Sequence, residues 1–138
     1  MVPPEPDDLG VLGGHSEAAR EALADLMVAP CWKQSHPAPL AVLGDPSMTG
    51  YARRAHRRAS QQHNTWLELP SLDAPTLVLH GTADQLTPVE NGVRLAGRIP
   101  GAHLTLFDGA RHAYFLERRE EASVAVVDFL DSHSDALD

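Results

Sequence analysis

Pro75-Thr76-Leu77-Val78-Leu79-His80-Gly81-Thr82-Ala83-Asp84 is the stretch on which the fold turns. A short, continuous apolar run closed by Pro on one side and Gly on the other predicts a strand buried on both faces of a parallel sheet. Gly81 to Thr87 follows as a loop, and Pro88 suits a first helical turn. Val89, Val93, Ala96 and Ile99 then recur at helical spacing until Pro100-Gly101 breaks the pattern. Ala102 to Phe107 predicts a second strand and Asp108 to Tyr114 a second loop. A last helix from Arg119 is expected to bury Ala122, Ala125, Val126, Phe129 and Leu130. Strand, helix, strand, helix is a βαβα unit, so the fold class is α/β with a parallel sheet.

Upstream of Pro70 the composition changes. Residues 1–70 are rich in Pro, His and Arg and carry almost no β-branched run. Ser16 reads as the N-cap of a helix with Ala19, Leu23, Leu26 and Met27 on its apolar stripe, and Pro30 is expected to end it. Ser47 reads as the cap of a second helix over 48–62. Met48, Tyr51, Ala52, Ala55 and Ala59 share one face of it, and Arg53, Arg54, Arg57 and Arg58 the other. The chain thus divides into a helical segment, 1–65, and an α/β segment, 66–138.

A length of 138 residues bounds the chain at one domain. A net charge of −8 argues against nucleic acid and anionic membrane surfaces as partners. No apolar run reaches the roughly 20 residues a membrane helix needs. The first residues lack the charged and apolar blocks of a secretory signal. The single Cys31 has no partner for an internal disulfide, and a cytoplasmic, reducing compartment is expected. The eight His show no metal-ligand spacing, so no metal is expected.

Open parallel sheets place their chemistry at the carboxyl ends of strands. Here each predicted strand is followed by one candidate, Asp84 in the first loop and His112 in the second. Neighbouring parallel strands lie about 5 Å apart, which sets the two loops side by side. An Asp–His pair of that kind fixes an imidazole tautomer and stabilises the imidazolium, as acyl transfer requires. His80 ends its strand and is expected to be satisfied near the loop. The four-Arg face, with His56 and His63 beside it, is read as a solvated surface, with an anionic substrate carboxylate as the alternative. Tyr114-Phe115-Leu116 is expected to pack against the preceding segment or the last helix, with lining of an acyl pocket as the alternative.

Residues 66–130 resemble the C-terminal part of an α/β-hydrolase. The matching segments are Leu69-Pro70, Ala74 to Asp84, Thr87-Pro88, Ile99 to Ala102, Gly109 to His112 and Phe129-Leu130. They are most similar to the 3-oxoadipate enol-lactonase and esterase branch. The resemblance implies Asp84 as triad acid, His112 as triad base, a lid over 1–65, and a small ester or lactone as substrate, with no cofactor. The family's Ser stands on a Gly-x-Ser-x-Gly elbow, and none occurs here. Gly14-His15-Ser16-Glu17-Ala18 is the nearest approach, and Ser16 reads better as a helix cap. The expectation is therefore a truncated hydrolase, inactive alone, completed by an N-terminal half. Two alternatives are a non-catalytic chain that complements a partner and a minimal hydrolase using Ser16. An open sheet edge makes self-association an expected property.

Overall fold

A computed structural model describes residues 17–36 and 47–134 of the chain. Its elements run α1 (Glu17–Met27), α2 (Pro30–Ser35), α3 (Gly50–Gln62), a 3-10 turn (Leu69–Ser71), β1 (Leu77–Gly81), α4 (Val89–Arg98), β2 (His103–Phe107), α5 (Tyr114–Glu117) and α6 (Arg119–Ser132). The βαβα order read from the sequence is present, with the short α5 inserted before the final helix.

β1 and β2 pair in parallel, Leu77 opposite His103 through Gly81 opposite Phe107. Side chains alternate across a strand, so Leu77 and Leu79 face one way and Val78 and His80 the other. Leu79 packs on the cluster of Phe107, Ala110 and Ala122, which puts α6 on its side of the sheet. His80 lies against Gly92 of α4, which puts α4 on the opposite side. The α6 side adds an edge contact between the rings of His103 and Phe129, 5.9 Å apart, and a stack of Phe107 on Tyr114 at 5.0 Å. One helix on each face is the smallest arrangement that covers both sides of a parallel pair.

The coverage is thinner than the sequence pattern predicts. Leu77 to His80 are half-buried, and only Gly81 in β1 is buried. The physical reason is the sheet's width. Two strands leave β1 one unpaired edge among the described residues, and one helix per face cannot enclose both. The same cause corrects the last helix. Ala122 is buried, but Val126 and Leu130 are exposed, because no further described layer covers that side of α6.

The upstream helices also differ in detail. The first ends at Met27, and Pro30 opens α2 rather than closing α1. Pro lacks the N–H that a first helical turn leaves unpaired anyway, so this place costs nothing. Thr49, not Ser47, caps α3: its hydroxyl accepts the Ala52 N–H at 3.2 Å. Likewise Pro88 is the N-cap residue of α4 rather than part of its first turn. The proposed apolar face of α3 buries no residue, and Tyr51 on it is 77 % exposed. Ser16, as cap or as nucleophile, lies outside the described residues.

Candidate active site

Two loops at the carboxyl ends of β1 and β2 form the site, and backbone hydrogen bonds join them. The Thr82 N–H donates to the Phe107 carbonyl at 3.0 Å and the Ala83 N–H to the Ala110 carbonyl at 2.9 Å. The Thr82 hydroxyl accepts the Gly109 N–H at 2.8 Å and donates to Asp108 Oδ1 at 3.3 Å. Such close approach needs a residue without a side chain. A Cβ on Gly81 would stand 2.3 Å from the Ala110 carbonyl oxygen and 2.4 Å from that of Arg111. Gly109 turns the second loop with a φ of 68°, in the left-handed region that glycine enters without steric cost.

Asp84 and His112 meet across this seam, as the sequence reading required. His112 Nδ1 lies 2.9 Å from Asp84 Oδ2. A carboxylate only accepts, so Nδ1 carries a proton, and in the neutral ring Nε2 is then the nitrogen with the lone pair. The Asp84 side chain is 3 % exposed, whereas that of His112 is 36 % exposed, with Nε2 making no hydrogen bond to a described residue. The carboxylate is thus enclosed and the imidazole is partly exposed.

Asp84 Oδ1 accepts two backbone N–H groups of its own loop, Leu86 and Thr87, each at 2.9 Å. Burial pushes the carboxyl upward. The His112 hydrogen bond, with the Thr87 and Leu86 N–H groups, outweighs it and holds Asp84 below the usual carboxylate range. The group is therefore an anion at neutral pH, the form that holds an imidazole and stabilises its cation.

The His112 loop is fastened from the other side by the upstream helices. Glu117 Oε2 accepts the Arg111 N–H at 2.6 Å while its Oε1 accepts the Ala29 N–H. The Ala113 N–H donates to the Met27 carbonyl at 2.7 Å, and Arg111 Nη1 donates to that of Asp25. Orphan carbonyls at the end of α1 are thereby satisfied. Val28, between Met27 and Ala29, is fully buried.

Sequence reasoning found the pair but not this frame. Glu117 gave no local signal, since its partners stand 6 and 88 residues away. Thr82 read only as loop. His80 is satisfied at the loop, as expected, through Nε2 on the Thr87 carbonyl at 2.8 Å. Cys31 is exposed. Tyr114 packs on the core cluster, while Phe115 is 51 % exposed. Among the described residues no three His, Cys, Asp or Glu side chains converge as a metal set would. Nor is any described helix long and apolar enough to cross a membrane.

A family model described as serine aminopeptidase, S33, matches residues 41–119, a span that holds both Asp84 and His112. Over 64 residues the chain is 45 % identical to polyketide synthase ThaQ of Burkholderia thailandensis, which covers 46 % of this chain and 3 % of that protein. It is 34 % identical over 92 residues to a pimeloyl-[acyl-carrier protein] methyl ester esterase of Neisseria meningitidis serogroup A, covering 67 % of this chain and 28 % of the esterase. Among solved structures, the enol-lactonase from Burkholderia xenovorans LB400 superposes with a TM-score of 0.77 at 24 % identity, over 91 % of this chain and 49 % of the lactonase. The chain thus spans about half of the lactonase and less than a third of the esterase.

Proposed function

The chain belongs to the α/β-hydrolase family, in the group described as serine aminopeptidase, S33, and from that premise we propose that Asp84 and His112 are the acid and base of a Ser-His-Asp site that hydrolyses esters or lactones. The observation that carries the reading is the 2.9 Å contact between Asp84 Oδ2 and His112 Nδ1, with Nε2 left accessible.

In this reaction a Ser hydroxyl attacks the acyl carbonyl, and His112 Nε2 takes its proton as the new C–O bond forms. The imidazolium then returns that proton to the departing alkoxide. Water repeats the cycle on the acyl-enzyme, and the acid product leaves. Asp84 stays ionised throughout, and its charge stabilises the imidazolium. The esterase relative supports an ester as substrate, and a lactone is the same bond closed into a ring.

No Gly-x-Ser-x-Gly occurs in the 138 residues, and in this reading an elbow-bearing half would supply the nucleophile. That half would pair with the free edge of β1 and cover the apolar side chains that α6 exposes, Val126, Val127 and Leu130 among them. The test is hydrolysis of p-nitrophenyl butyrate by the chain alone and by the chain joined to a half-chain that bears a Gly-x-Ser-x-Gly elbow. Turnover is expected only in the joined protein, with a loss of about 10⁴-fold in Asp84→Asn. Turnover that survives His112→Ala would refute the assignment. A Ser16 labelled by a fluorophosphonate in the chain alone would move the nucleophile inside it.

A further inference from the structure

We propose that His80 is a positioning residue for the Asp84–His112 pair, its ring bracing the Asp84 loop from beneath through Nε2. The inference rests on the reading of that pair as acid and base, and extends it to a third side chain. His80 Nε2 lies 2.8 Å from the Thr87 carbonyl oxygen. A carbonyl only accepts, so Nε2 bears a proton, and that proton fixes the tautomer of the ring. The same nitrogen stands 3.4 Å from Asp84 Oδ2, the oxygen that holds His112. Meanwhile the N–H of Thr87 donates to the other carboxylate oxygen, Oδ1, at 2.9 Å. His80 therefore anchors, through its one hydrogen bond, the carbonyl of the residue whose N–H orients Asp84, and its Nε2 stands beside the oxygen that orients His112.

The ring has little freedom to do otherwise. The side chain is 13 % exposed, and it lies against Gly92 of α4. A Cβ placed on Gly92 would stand 2.9 Å from His80 Nδ1, 3.1 Å from Cγ and 3.2 Å from Cβ of the same residue. Glycine in mid-helix is ordinarily a poor choice. Here it makes the room in which the imidazole lies. Two departures from simple patterning, a His at the end of an apolar strand and a Gly inside a helix, thus have one common cause.

The experiment reads the Asp84–His112 hydrogen bond itself, by the downfield Nδ1–H proton resonance of His112 in nitrogen-labelled chain. Wild type is expected to show a protected signal. His80→Leu, which removes the donor, should broaden or abolish it, while amide resonances of α6 and β2 stay in place. His80→Gln keeps an N–H donor near the Thr87 carbonyl and should restore the signal. Gly92→Ala retains His80 but displaces its ring, and should weaken the signal even though Ala is the better helix former. An unchanged His112 signal in His80→Leu would overturn the proposal. So would loss of the signal in Leu and Gln variants alike, since the ring's packing rather than its N–H would then be what matters. Neither result touches the assignment of Asp84 and His112, which the ester assay tests separately.

Discussion

The two longest helices upstream of the sheet meet the rest of the molecule on different terms. α1 ends against the His112 loop, where Met27 and Asp25 carbonyls and the Ala29 N–H find partners 86 to 88 residues away, and Val28, between Met27 and Ala29, is fully buried. α3 buries nothing. Its Arg53 and Arg57, and its Arg54 and Arg58, stand four residues apart, so like charges repel along one side. Proximity in sequence to the α/β unit does not decide which helix belongs to its frame. What decides is whether a helix end supplies hydrogen-bonding groups that the Asp84 and His112 loops need.

The contrast can be broken from its strong side first. Asp84→Ala leaves the Leu86 and Thr87 N–H groups and the His112 ring without their acceptor, and should cost about 3 kcal/mol in a urea melt. The same residue sets an acid limb. Its carboxyl lies below the usual value in the fold, so its contribution is complete above the unfolded value of 3.8 and is lost as pH falls through the lower folded value. Asp84→Asn should flatten stability against pH in that window alone. Next comes Gly81→Ala, whose Cβ meets two backbone oxygens that cannot swing aside. About 2 kcal/mol is expected, with the His112 loop displaced from Asp84. Glu117→Ala removes the clamp between α1 and the loop and should cost about 1.5 kcal/mol. Hydrogen exchange should then quicken at Ala29 and Arg111 together. Smallest is Arg58→Ala in α3, expected within about 0.5 kcal/mol of wild type. A large loss there would show that α3 is held by contacts as α1 is.

Much of the α/β half is legible in the residues. Pro75 and Gly81 bracket β1, Pro100-Gly101 ends α4, and the two loops that follow the strands carry Asp84 and His112 as read. These are local signals, each written within a few residues. Burial was not legible in the same way. The apolar run of β1 predicts enclosure on both faces, but enclosure depends on neighbouring strands, which the run cannot specify. Nor could the frame be read ahead. Glu117 looks like one more acid on a helix until Ala29 and Arg111 are seen against it, and His80 looks like an ordinary strand end until the Gly92 backbone is seen beneath it.

In the proposed site, Asp84 holds Nδ1–H of His112 and so leaves the lone pair on Nε2. A long-range proton–nitrogen correlation spectrum of the labelled chain at neutral pH reads that tautomer directly. His112 should show the Nδ1–H pattern in wild type and lose it in Asp84→Asn. An Nε2–H pattern in wild type would leave the base without its lone pair and contradict the account.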